Sequence, residues 1–209
     1  MAVPPQVQLQ IVTTSQVMSY NNLPAAAPPK ITMNGVPFPA PTAPPYMPTG
    51  YQVVVIDAAL DYTHPASILA NQYIQLYPQG QSNNWGSTYQ YMYSGMLWTV
   101  LNSGNIDQQL LILASYGLDN NMPSTNDAYA MMLGAGAGSQ LQYWETHCDG
   151  GSQVGNPTSW VAYPANYILV GFSARSYGQG YEIYQSAGQQ NSVTTTLSVT
   201  LANNVPPGS

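Results

Sequence analysis

Glu145, His147, Cys148 and Asp149 form the one cluster whose residue types could carry a reaction. A cysteine beside a histidine suggests a thiol nucleophile with an imidazole base. However, Leu141 to His147 reads as a strand, in which neighbouring side chains leave on opposite faces, and a catalytic base usually comes from elsewhere in the fold. His64, in a Thr-His-Pro turn, is the only other histidine. The expectation is therefore no catalytic residue, with Cys148 as a small buried thiol at a strand end. Metal binding fares no better. Asp57 with Asp61, and Asp119 with Asp127, lack the alternating oxygen-ligand spacing of a calcium loop, and two histidines 83 apart make no zinc signature. No metal or cofactor is expected. The run Gly134 to Gly138 ends a helix, so its amides are expected to face no anion.

Sugar binding is the stronger chemical alternative. Tryptophan rings stack on apolar sugar faces while amides take hydroxyls. Trp85 with Asn83 and Asn84 is the candidate glycan contact, beside Trp144 and Trp160 near Asn156. The competing reading puts Trp144 and Trp160 in the core and lets Trp85 cap the first helix.

Composition narrows the choice. The chain has 209 residues and is 44% hydrophobic, enough for a sizeable core, yet only 5% of its residues are charged where about 25% is usual. Lys30 and Arg175 are its only cations against eight acids. Two cations cannot neutralise a phosphate backbone or hold anionic lipid strongly, so no nucleic-acid partner and no membrane insertion are expected. One cysteine allows no internal disulfide. The start, Met-Ala-Val-Pro-Pro, has neither the positive region nor the apolar core of a signal peptide, and no window approaches the ~20 apolar residues of a membrane helix. A chain made in a host cytoplasm and released inside a virion reconciles this with a surface of Gln, Asn, Ser, Thr and Tyr.

The positioning elements follow from periodicity. Leu110 to Ala114 is a continuous apolar run, read as a central strand buried on both faces. After it, Ser124 stands three residues before Asp127, and Ala128, Met131, Met132 and Ala135 continue at helical spacing until Gly134, Gly136 and Gly138. The spacing predicts the longest helix over 86–102, with Tyr89, Met92, Tyr93, Met96, Leu97, Val100 and Leu101 facing the core. On its far side Tyr91 and Trp98 nearly superpose across a floor of Ser94 and Gly95, an expected contact for the N-terminal arm, a second subunit or a ligand. Strands are expected over 51–58, 68–77, 141–147, 160–163, 167–172, 181–184 and 193–201.

Residues 1–49 read as an extended, Pro-rich N-terminal arm with short β pieces. Val7, Leu9 and Ile11 alternate with Gln6, Gln8 and Gln10, and an Asn34-Gly35 turn joins two short strands. Residues 186–209 form an uncharged C-terminal strand and tail. The lone N-terminal strand from Gln6 to Val12 seeks a partner. The expected assembly interface therefore comprises Val7, Leu9, Ile11, Tyr91, Trp98, Leu197 and Val199. The fold class is α+β: a β-sandwich-like mixed sheet core flanked by two helices.

Residues 50–185 carry a further pattern: strand 51–58, strand 68–77, the amphipathic helix, Leu110-Leu-Ile-Leu-Ala-Ser-Tyr116 followed by Asp119, a helix ending Leu133-Gly134, Trp160, and Tyr167-Ile-Leu-Val-Gly171. This resembles the GG domain, also called the interleukin-like EMT inducer domain. The resemblance implies a compact, non-enzymatic β-sandwich flanked by helices, found in secreted signalling proteins, a sugar-binding stem domain and phage tail-fibre parts. Gly117-Leu118-Asp119 stands where secreted members tend to carry two adjacent acids, and their paired cysteines are missing, which favours the phage branch.

The expected function is a non-enzymatic structural component of a virion, assembled through its N-terminal arm: a tail, fibre, collar or capsid decoration protein of a tailed phage. Its partners would be copies of itself and other virion proteins, with a host surface glycan as a further ligand. The alternatives are a glycan-binding adhesin domain and a subunit of a cell-surface filament, both at an extracellular surface.

Overall fold

The computed structural model describes residues 5–19, 24–43, 45, 49–75, 85–104, 106–119, 126–147, 161–162, 164–173, 175–188 and 190–203. The chain runs β1 (Gln6–Gln16), β2 (Met18–Ser19), β3 (Lys30–Met33), β4 (Val36–Pro37), β5 (Gly50–Asp57), β6 (Ile68–Gln75) and α1 (Trp85–Leu101). It continues through β7 (Gln109–Tyr116), β8 (Leu118–Asp119), α2 (Asn126–Gly134), α3 (Ser139–His147), β9 (Val161–Ala162), β10 (Pro164–Phe172), β11 (Tyr181–Ser186) and β12 (Ser192–Ala202).

Three layers result. A six-stranded sheet, ordered β11-β10-β7-β5-β6 with β8 beside β10, lies between the helices and a four-stranded sheet ordered β12-β1-β3-β4. The apolar run of β7 places it at the centre, and every residue of that strand is buried. Period-two alternation then shares it between two cores: Leu111 and Leu113 face the helices, while Leu110, Ile112 and Ala114 face the small sheet. The fold is α+β, a sheet-rich core flanked by helices, as expected. Every pairing between these strands is antiparallel rather than mixed, and the helices number three among the described residues.

On the helical face α1 buries Met92, Tyr93, Met96 and Val100. Leu101 was expected in that stripe and is 49% exposed, because it sits about 100° around the helix from Val100. Gly95 is not an open floor beneath Trp98: a Cβ there would lie 3.1 Å from Ile74 of β6. Helix α2 buries Ala128 and Met132, and Gly136 ends it at φ +94°, in the left-handed region that favours glycine.

Residues 141–147 are helix α3, not the expected strand. Leu141 and Trp144, three apart, enter one core, and Trp144 stacks on Tyr184 at 5.4 Å between ring centroids. The cap comes from far away. Glu182 of β11 accepts the N–H groups of Gly138 and Gln140, both at 2.8 Å, and of Leu141 at 3.2 Å. Contrary to expectation, then, the last glycine of the Gly134–Gly138 run does turn its amide to an anion, the chain's own carboxylate at a helix N-terminus.

The small sheet joins the two ends of the chain. β1 pairs with β12 over its whole length, Gln6 opposite Ala202 and Gln16 opposite Ser192, and with β3 on its other side. Asn34 and Gly35, at φ 51° and 76°, form the expected hairpin turn between β3 and β4. Val7, Leu9 and Ile11 are no more than 1% exposed. At about 1.5–3 kcal/mol per buried large aliphatic side chain, these three are worth a sizeable part of the 5–15 kcal/mol that holds a domain together. Strand β1 is thus a structural layer of the domain.

Candidate functional site

The outer edge of β12 is the most distinctive surface of the molecule. Its sequence, SVTTTLSVTLA, has no charge, proline or glycine over eleven residues. Val193, Thr195, Val199 and Leu201 are buried and Leu197 half-buried, while Ser192, Thr194, Thr196, Ser198 and Thr200 are exposed. β1 occupies one side of the strand. On the other, from Thr196 to Ala202, no described residue bonds the backbone. The adjoining β1 adds no charge, and Lys30 of β3 is the only charged residue of this sheet. Such edges are commonly blunted by lysine, proline or a bulge, and this one has none of them.

A buried polar cluster fixes how the strand sits. Asn166 of β10 is fully buried. Its Nδ2 donates to the carbonyls of Thr13 at 3.3 Å and Val193 at 3.1 Å and to Thr195 Oγ1 at 3.0 Å, while its Oδ1 accepts the Ser15 hydroxyl. Thr195 Oγ1 donates in turn to Gln185 Oε1 at 2.9 Å, and Thr13 donates to the Ser115 carbonyl. Satisfied buried polar groups penalise any slip in register, since a one-residue shift would leave them unpaired in the core. The edge is therefore presented rigidly.

The structure sorts the expected interface residues. Val7, Leu9, Ile11 and Val199 are buried, and Leu197 is half-buried, between the two sheets of one chain. They are not free to meet a second subunit: the strand that sought a partner finds it in the chain's own C-terminal strand. Trp98 is 70% exposed, and the N-terminal strand lies on the opposite face of the large sheet, so β1 does not cover it. The Tyr91 side chain lies outside the described residues, as do Asn83, Asn84 and the Trp85 side chain, although Trp85 is the first residue of α1. Trp144 is a core residue, fully buried. Trp160 and Asn156 are outside the described residues.

Glu145, His64, Asp57 and Asp61 serve local structure. Glu145 accepts the Tyr129 hydroxyl at 2.7 Å; burial first, and this carboxylate second, push the phenol up to about 12. His64 Nδ1 accepts the Ala66 N–H at 3.1 Å and caps a short 3-10 turn. Asp57 and Asp61 each close a turn, on Ala59 N and Thr63 N at 2.9 Å. Cys148 and Asp149, and the His147 side chain, lie outside the described residues. Among the described residues no three His, Cys, Asp or Glu groups converge as metal ligands, and no helix is long and apolar enough to cross a membrane. The lack of charge in β12 is plain in sequence and placed Leu197 and Val199 among the expected interface residues; that β12 ends a sheet is not legible there.

No model of a known protein family matches the chain, and no curated protein matches it.

Proposed function

We propose that this protein is a non-enzymatic structural subunit of a virion, in a tail, fibre, collar or capsid decoration of a tailed phage, joined to its neighbours by strand addition at β12. The observation that supports this is the uncharged, eleven-residue strand β12, whose outer side from Thr196 to Ala202 is bonded by no described residue. Main-chain N–H and C=O groups in such a row bind another extended chain without needing charge, which suits a molecule with two cations. The exposed Thr196, Ser198 and Thr200 offer hydroxyls and methyl groups to a strand laid alongside.

Light scattering of the full-length protein over a range of concentrations tests the reading. Regular oligomers are expected, and Thr196→Lys with Ser198→Lys, which place charge on the edge, should return a monomer with unchanged circular dichroism. A wild-type protein that stays monomeric at every concentration, alone and with the particles of its source, overturns the proposal.

A further inference from the structure

Hydrogen bonds just beyond the two ends of the β1–β12 ladder show which way the backbone of β12 points. The Val17 N–H donates to the Asn191 carbonyl at 2.8 Å and the Asn203 N–H to the Pro5 carbonyl at 2.7 Å, so odd-numbered residues of the two strands turn their peptide groups to each other. The even-numbered Thr196, Ser198 and Thr200 therefore aim N–H and C=O away from β1, along the side that no described residue bonds. A strand added there would set each side chain on the same face as the β12 residue opposite.

On the inner face, a cleft of about 190 Å³ opens at the end of β12. Thr200 and Leu201 line it from the small sheet, Val170, Phe172 and Tyr181 from the large one, with Arg175 beside them. Arg175 is half-buried, its Cζ 5.0 Å from the centre of the Phe172 ring. Its guanidinium makes no hydrogen bond or ion pair among the described residues. Nε is closed to solvent, so a guest would meet the two terminal nitrogens. Glu182, the only acid of β11, is already engaged: the Gly138, Gln140 and Leu141 N–H groups and the Tyr167 hydroxyl hold it on the helical side of the sheet. A planar cation laid on a ring, with its terminal nitrogens unpaired, matches the two oxygens of a carboxylate.

We infer that the strand added at β12 carries a glutamate or aspartate opposite Leu201, and that Arg175 receives its carboxylate in this cleft. This assignment rests on strand addition at β12 and specifies the partner. Main-chain bonds along Thr196, Ser198 and Thr200 supply affinity, and the cleft supplies selectivity. β12 of a second copy holds no acid, so symmetric pairing of two β12 strands would leave Arg175 unmet.

Fluorescence anisotropy with labelled, end-blocked peptides and dilute full-length protein tests it. The peptides alternate threonine and valine over eight residues, with one central valine replaced by glutamate, glutamine or lysine. The glutamate peptide should bind saturably, about fivefold or more tighter than the glutamine peptide, the scale of a partly exposed ion pair, and the lysine peptide should be weakest. Arg175→Gln should level the glutamate and glutamine peptides and leave the affinity of the latter as in the wild type. Ser198→Pro removes an N–H that faces no described residue, which an edge strand tolerates, and should abolish binding of all three. Equal binding of glutamate and glutamine peptides to the wild type, or a preference that survives Arg175→Gln, overturns the carboxylate assignment and leaves strand addition standing. Binding of no peptide, or binding untouched by Ser198→Pro, overturns strand addition and the assignment with it.

Discussion

Asn203 Nδ2 donates to Asp61 Oδ1 at 2.9 Å, joining residues 142 apart in the chain. The same side chain accepts the Tyr62 N–H at 3.0 Å, and the Asn203 N–H donates to the Pro5 carbonyl at 2.7 Å. One residue thus ties the end of β12 and the start of β1 to the loop after β5. Without that tie, the last residues of an edge strand would fray.

Acid stability should register this contact. The Asn203 hydrogen bond is the foremost cause, and bonds from Thr63 the next, holding the Asp61 carboxyl below its ordinary 3.8. A group depressed in the folded state stabilises above its unfolded pKa and loses that effect as pH falls through the folded value. Asn203→Ala is therefore expected to begin acid unfolding at a higher pH than the wild type. In urea melts its deficit should be larger at pH 7 than at pH 2. A constant deficit would show that Asp61 is not involved.

Asn166 should be far less replaceable than its polarity suggests. Asn166→Leu removes the partner of Ser15, Thr195 and the Thr13 and Val193 carbonyls inside the protein. The expected loss is about 2–4 kcal/mol, seen as a fall in the urea midpoint. A loss under about 1 kcal/mol would mean that water or rearrangement satisfies these groups.

Alkaline titration should separate two classes of tyrosine. Tyr167 is fully buried and donates to Glu182 Oε2 at 2.9 Å, and burial followed by that charge push its phenol well above the ordinary 10; Tyr129 is raised to about 12. Phenols raised in the folded state favour folding below pH 10, and the contribution disappears as pH rises through their folded values. Tyrosine absorbance near 295 nm should therefore rise in two steps, the second coinciding with loss of the circular dichroism signal. A single step completed before unfolding would contradict these assignments.

Gly171 has no room for a methyl group. A Cβ there would lie 1.7 Å from the Ala135 carbonyl oxygen, where the chain leaving α2 crosses β10. Gly171→Ala should abolish soluble expression or lower the melting temperature by more than about 10 °C, since backbone rather than a flexible side chain must yield. Gly134→Ala, beside open space, is the matched control and should be neutral or slightly stabilising.

Periodicity within single segments made much of this fold legible. The uniform apolar run of β7, the alternation in β1 and β12, the Asn34-Gly35 turn and the core stripe of α1 are properties of a few adjacent side chains and survive translation into structure. Local pattern failed at α3. Leu141 and Trp144 suit a helix or a strand face, and the choice rests on a carboxylate forty residues later, Glu182, that caps the helix.

The same division holds for the candidate sites. Sequence alone determined that β12 is an uncharged strand and that the chain has almost no cations to spend on recognition. Only tertiary structure decided that β1 lies beside β12, that Val7, Leu9 and Ile11 are consumed inside one chain, and that Arg175 shares a cleft with the end of β12. Side-chain spacing encodes which face of an element is apolar. Which faces meet, and which edge is left over, depends on contacts between residues nearly two hundred positions apart, whose shape and hydrogen bonds exist only once the layers have packed.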